Sequence, residues 1–278
     1  MLADFTLLTP DIRKQVARLT GWVVLAAVPL ASQVAPLAGG PKPETTDAFE
    51  RYARNTASGL VALPRGCEAF LWAGSVEERL RLRQGKILSQ PRRRRGDVPV
   101  PSGLIHDWVG AIFIPSARVE DVLNVVRDYN RHQTTYRPEV VESWIVSQSG
   151  DEYKVHLRLL KRKGITVVLD TEHKIKYEKL GTTCWQSRSE STSIREVQNP
   201  GKDHGFMWRV NSYWRFHEGD GGTYVECEVV SLSRSVPGIL ARLIDPIVRQ
   251  LPQQSMADTL RATRTAVEKG RPRAKSGD

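Results

Sequence analysis

The chain has 278 residues, room for one large domain or two small ones around a sizeable core. Its 40% hydrophobic, 7% aromatic and 26% charged residues exclude collagen-like, wholly disordered and polytopic membrane classes. Lys and Arg outnumber Asp and Glu by 41 to 31, a formal charge of +10 that favours an anionic partner such as a membrane surface or nucleic acid.

No residue from Leu19 to Pro41 is charged, and Gly21-Trp22-Val23-Val24-Leu25-Ala26-Ala27-Val28 is an apolar run preceded by Arg13, Lys14 and Arg18. That order resembles a secretory signal, with cleavage expected between Ala31 and Gly40. The run falls short of the roughly 20 residues a bilayer span needs. An uncleaved N-terminal anchor is the alternative, and either reading of residues 1–40 puts the folded part outside the cytoplasm, in the periplasm or anchored facing it.

Residues 41–102 read as a mainly helical extension. Thr46 and Asp47 can cap a helix through Phe49, Tyr52, Ala53 and Leu60. A second helical stretch from Phe70 to Leu82 and a short strand at Gly85-Lys86-Ile87-Leu88 lead to Arg92-Arg93-Arg94-Arg95, an exposed loop between Pro91 and Gly96. It suits contact with anionic phosphate, and its plain reading is a solvated charged turn. Three distant cysteines, Cys67, Cys184 and Cys227, show neither a zinc spacing nor a disulfide framework.

Leu104 to Ile114 reads as a strand ended by Pro115, followed by short helices at Val119 to Asp128 and Tyr129 to Tyr136. Strict alternation then marks strands. Tyr153, Val155, Leu157 and Leu159 alternate with Lys154, His156 and Arg158. Ile165, Val167, Leu169, His173, Ile175 and Tyr177 alternate with Asp170, Glu172, Lys174 and Lys176. Thr182 to Ile194 carries Ser187, Ser189, Ser191 and Ser193 at one parity. Phe206, Trp208, Val210, Trp214 and Phe216 alternate with Arg209, Asn211, Tyr213 and Arg215, and Val225, Cys227 and Val229 with Glu226 and Glu228.

This describes an antiparallel meander with one apolar face and one wet face, where Arg209, Arg215, Glu226 and Glu228 form cross-strand ion pairs. Gly219-Asp220-Gly221-Gly222 is a hairpin turn. From Pro237-Gly238 a helical stripe of Leu240, Leu243, Ile244, Ile247, Val248 and Leu251 continues through Met256, Leu260 and Val267, with Pro246 and Pro252 expected to interrupt or bend it. Such a bend would serve as a gate or as a static break. Residues 269–278 read as a disordered basic tail.

Strand, two short helices, about six antiparallel strands and a long C-terminal helix is the order of the helix-grip fold. With Leu104-Ile105-His106-Asp107-Trp108-Val109-Gly110, Asp128-Tyr129-Asn130-Arg131-His132 and Asp203-His204-Gly205-Phe206-Met207-Trp208-Arg209, residues 103–268 resemble the START-like, or SRPBCC, superfamily, in a bacterial branch with a helical N-terminal extension. The resemblance implies an α+β fold in which a curved sheet grips the C-terminal helix around a cavity for a lipid or other hydrophobic small molecule.

Its walls would be Leu157, Leu159, Val167, Leu169, Trp208, Val210, Trp214, Leu240, Ile244 and Ile247, with Tyr177, Ser187 and Ser189 as polar contacts. No catalytic residue, metal site or cofactor motif is legible. His106 and Asp107, adjacent on a strand, point to opposite faces and cannot orient one another. His173, on an apolar parity, reads as a satisfied core histidine, and His156 and Arg158 face solvent. The expectation is an exported, monomeric binding protein that docks on anionic membranes. A cyclase or dehydratase acting on a hydrophobic substrate is the enzymatic alternative. Nucleic-acid binding is disfavoured, because the tryptophans fall on the apolar parity.

Overall fold

The computed structural model describes residues 40–61, 71–93, 96–163, 165–197, 207–235 and 239–270, with backbone alone for 60, 61, 162, 163, 165 and 239–252. The signal or anchor segment, Cys67, Arg94, Arg95, Asp203 to Phe206, Pro237, Gly238 and the tail beyond residue 270 lie outside the described residues.

Helices α1 (Pro43–Val61) and α2 (Val76–Arg83) precede short strands β1 (Leu88–Pro91) and β2 (Val98–Val100). Pro43 opens α1, as suits a residue with no N–H to leave unpaired. Ser75 caps α2 in a reciprocal box with Glu78. Strand β3 (Gly103–Pro115) is followed by α3 (Val119–Val126), a 3-10 turn at Tyr129–Arg131 and α4 (His132–Thr135).

The long strands are β4 (Val140–Ser149), β5 (Glu152–Lys163), β6 (Ile165–Lys179), β7 (Cys184–Glu196), β8 (Met207–Gly219) and β9 (Gly222–Arg234), ahead of α5 (Ile239–Gly270). The sheet runs β1-β3-β9-β8-β7-β6-β5-β4, all antiparallel, with β2 added to β3. This is the helix-grip arrangement expected from the sequence.

α5 is one helix across Pro246 and Pro252. The expected interruption does not occur. A proline inside a helix costs about 3 kcal/mol. The buried stripe of Met256, Leu260 and Val267 against the sheet offsets that cost. Gly110 permits the close approach: a Cβ there would lie 2.7 Å from Met256 Sδ and 2.9 Å from Leu260 Cδ1.

The sheet has an inner face toward α5 and an outer face toward α1 and α2. Inside, Ile112, Ile114, Phe216 and Val225 pack with Val122, Val126, Met256 and Leu260, each burial contributing roughly 1.5–3 kcal/mol. Outside, Phe49, Ala53 and Ala57 of α1 pack on Ile105, Tyr213, Val230 and Leu232. Leu82 of α2 joins Leu71, Leu88, Phe113 and Tyr224. The N-terminal extension is therefore the outer cover of β3, β8 and β9.

Candidate functional site

The inner face is set by register. Trp214 of β8 lies opposite Cys227 of β9 and Ser187 of β7, and Ser187 lies opposite Tyr177 of β6. One step along, Val229, Ser212, Ser189, Ile175 and Tyr153 form a continuous row across β9 to β5. A further step brings Ser231 opposite Val210 and His173 opposite Val155. Leu157 pairs with Thr171, and Leu159 with Leu169. Val167, two residues before Leu169, shares that face.

α5 packs chiefly on β3, with lesser contacts to α3, β1 and β9. Large apolar side chains on the neighbouring inner surface stay half-buried: Trp108, Leu157, Leu159, Val167, Val210, Trp214 and Val229. In the same strands, Ile112, Val155, Phe216 and Val225 are sealed. Ser187 and Ser189 of β7 and Ser212 of β8 occupy the middle of this face.

The polar groups on this face are serines, tyrosines and histidines rather than paired charges. The Tyr129 and Tyr177 hydroxyls are 2.7 Å apart, and Tyr177 also donates to the Val126 carbonyl at 3.3 Å. The Arg127 guanidinium stacks 4.4 Å from the Tyr177 ring centre and 4.6 Å from that of Trp185. His173 Nε2 is 3.0 Å from Thr171 Oγ1 and its Nδ1 3.4 Å from Ser189 Oγ, the satisfied core histidine expected. Burial pushes its pKa down to about 4, and burial likewise raises the Tyr129 and Tyr177 phenols. His106 Nδ1 is 2.6 Å from Asp97 Oδ1 and its Nε2 2.7 Å from Ser233 Oγ.

The structure thus brings Leu157, Leu159, Val167, Leu169, Tyr177, Ser187, Ser189, Val210 and Trp214 to one face. Trp208 is the exception. A bulge between Met207 and Arg209 breaks the alternation, and Trp208 packs outside with Phe49, Tyr213 and Leu232. The side chains of Leu240, Ile244 and Ile247 lie outside the described residues. A groove of about 1090 Å³ opens elsewhere, between α3, α4 and the second half of α5, lined by Asn124, Tyr136, Leu160, Thr259 and Ala262 among others. It contains none of the expected ligand residues.

The outer face corrects a second expectation. Arg215, Glu226 and Glu228 do share a parity, but they are buried rather than wet, because the extension covers them. Arg215 pairs with Glu226 and, at 3.5 Å, with Glu228. Glu226 Oε2 accepts the backbone N–H of Trp72 at 2.6 Å and of Ala73 at 3.3 Å. Two loop arginines fold back here. Arg92 Nε lies 3.4 Å from Glu228 Oε1, and Arg93 Nε donates to Tyr52 Oη at 3.3 Å.

Tyr52 in turn donates to Asp107 Oδ2 at 2.7 Å, and these groups line an outer pocket of about 350 Å³. At the other edge His156 is not solvent-facing: Trp144 stacks on it with ring centres 3.8 Å apart. Arg158 is bound up with Asp170 at 2.7 Å and Glu142 at 2.6 Å.

The sequence shows no disulfide framework, and the structure adds one bond. Cys184 is disulfide-bonded, while Cys227 is free and buried. Spacing gave no signal, because disulfide pairing depends on three-dimensional reach.

No family model and no curated protein matches the chain. Solved structures do. It is similar to a STAR-related lipid transfer protein fragment from Xanthomonas axonopodis, at 19% identity over 65% of this chain and 98% of that one, TM-score 0.44. It is similar to the Zhui aromatase/cyclase from Streptomyces, at 12% identity over 63% and 99%, TM-score 0.45. Human STARD10 follows at 10% identity over 64% and 76%, TM-score 0.42. At such identities the likeness concerns the fold alone, and what the chain binds has to be read from its own residues.

Proposed function

We propose that the chain is an exported binding protein that holds a lipid or other hydrophobic small molecule between the inner face of β5–β9 and α5. One observation carries this. Large apolar side chains on the face toward α5, Trp214, Val210, Leu157 and Leu159 among them, keep accessible surface beside sealed neighbours. An apolar ligand would cover that surface at roughly 25 cal/mol per Å². The serines beside them are small and offer hydroxyls to a polar end of the ligand.

Export is supported by the disulfide at Cys184, since such bonds persist in oxidising compartments. It is also supported by the apolar run at Gly21 to Val28 after Arg13, Lys14 and Arg18. The net charge of +10 supports docking on anionic membranes.

The cyclase alternative asks for acid and base groups poised near neutrality inside the site. At the β5–β7 end of that face His173, held near 4, and the tyrosines, held above their ordinary value, are shifted away from it.

Native mass spectrometry on protein purified gently from its host's envelope fraction tests the proposal, with organic extraction of any adduct. The expected result is a stoichiometric hydrophobic adduct that is lost in Ser212→Trp, which fills the middle of the face, with the melting temperature kept. A clean apo mass, before and after incubation with host lipids, overturns it.

A further inference from the structure

Asp97, His106 and Ser233 form a chain of contacts that ligand holding does not require. Two strand pairings build it. β2 pairs with β3 so that Val98 lies opposite Ile105, which sets Asp97 opposite His106. β3 pairs with β9 so that His106 lies opposite Ser231, which makes Ser233 its diagonal neighbour on the same face.

The side chains meet in a fixed order: carboxylate to Nδ1 at 2.6 Å, then Nε2 to hydroxyl at 2.7 Å. His106 is 2% exposed and Ser233 6%, so both contacts sit in a low-dielectric setting where they hold firmly. A histidine that only fills the core can use carbonyls or any polar neighbours. A carboxylate on Nδ1 and a serine on Nε2 is the arrangement that makes a hydroxyl nucleophilic.

Ser233 also has a way in. It lies on the inner face, and its cross-strand neighbours Leu104 and Met207 are half-buried.

We propose that Ser233 is a nucleophile activated by His106 and positioned by Asp97, and that the protein cleaves a hydrophobic carboxylic ester. Ser233 Oγ attacks the ester carbonyl as its proton passes to His106 Nε2. The bond from carbonyl carbon to alkoxy oxygen breaks, and the alcohol leaves with that proton. Water then attacks the acyl-serine, giving one proton to His106, and Ser233 recovers it as the carboxylic acid departs. Water is the only co-reactant. Asp97 accepts the Nδ1–H, fixing the tautomer and steadying the imidazolium. The hydrophobic character of the substrate rests on the inner-face binding proposed above; the nucleophile does not.

The full chain is treated with a fluorophosphonate probe, mapped by peptide mass spectrometry, and assayed on p-nitrophenyl octanoate. A single phosphonylated residue, Ser233, is expected, with Ser233→Ala abolishing label and reducing hydrolysis by about 10³-fold or more. Ser233→Cys preserves the packing, and its thiol should alkylate with iodoacetamide faster than the same variant carrying His106→Gln. Hydrolysis unchanged in Ser233→Ala, or no label on Ser233 with alkylation of Ser233→Cys indifferent to His106, overturns the proposal. A lipid adduct retained by unlabelled protein would sink the nucleophile and leave the binding reading standing. Label on Ser233 without any adduct would do the reverse.

Discussion

The outer face of the sheet carries its charges under cover, and the inner face carries apolar side chains that are left partly open. Outside, Asp107, Arg215, Glu226 and Glu228 are all nearly sealed; Asp107, Glu226 and Glu228 are each tied to groups of the extension or its loop, and Arg215 pairs with the two glutamates. Inside, Trp214, Val210 and Val229 keep accessible area although hydrophobic burial would favour closing it. Polarity and burial have been exchanged between the faces. A protein built only for stability would bury the tryptophan and solvate the carboxylates, so the open face is where function is to be sought.

The largest effect should come from breaking the outer network. Glu226→Gln leaves Arg215 beside a neutral amide and weakens the acceptor for Trp72 and Ala73. Removing one partner of a buried pair costs about 3–5 kcal/mol. Urea denaturation should show a lower midpoint by that measure, with proteolysis appearing first in the extension. An unchanged midpoint would mean the extension does not hold the outer face.

The two tryptophans give the sharpest test of which face does what. Trp208→Ala empties a packed position against Phe49 and Leu232 and should cost about 3–5 kcal/mol with the hydrophobic adduct retained. Trp214→Ala should cost less, because the side chain is only half-buried, and should weaken the adduct. If both variants lose stability alike and neither touches the adduct, the faces do not differ in function.

Much of this contrast was legible in the sequence, and the limits have identifiable causes. Period-two alternation placed Leu157, Leu169, Tyr177 and Trp214 on apolar faces, since pleating ties side-chain direction to parity; for the polar strand holding Ser187 and Ser189 parity left the side open, and only the register with Tyr177 and Trp214 fixes it. Parity failed at Trp208, where one bulge residue turned the side chain over. It also says nothing of what covers a face. Arg215, Glu226 and Glu228 read as wet because α1 and α2 lie more than a hundred residues away in the chain. Beside its neighbour Asp107, His106 shows no partner in the sequence, while its true partners are Asp97, just ahead of β2, and Ser233 of β9. No local pattern encodes such a meeting.

A smaller effect follows from Asp107, and it carries a pH signature. Burial, then the nearby Glu228 carboxylate, push its carboxyl up to about 6, with the Tyr52 hydroxyl and Arg92 and Arg93 opposing. The folded protein therefore binds a proton that the unfolded chain has already released. The stability this contributes is complete below the ordinary carboxylate range and is lost as pH rises through about 6. Asp107→Asn keeps an acceptor for Tyr52 and removes the penalty. It should stabilise the protein at pH 7–8 by up to about 3 kcal/mol and leave it nearly unchanged near pH 4. A variant less stable than wild type at pH 8 would show that the ionised carboxylate is paired with its arginines instead.

The smallest effect lies on the inner face. Tyr177→Phe removes one hydroxyl from the pair with Tyr129, and a hydrogen bond of this kind contributes about 1 kcal/mol. The Tyr129 hydroxyl then lacks the partner it had, but the rings keep their packing: Tyr129 and Tyr177 each still face Tyr153, at centroid distances of 5.4 Å and 5.8 Å. Stability should fall by that small amount. If the pair serves only the fold, ligand retention stays at the wild-type level. If the hydroxyls reach the polar end of a bound molecule, the adduct weakens several-fold more than the stability loss accounts for. Measuring both on one preparation separates the two, because a purely structural bond cannot weaken binding without lowering stability in step.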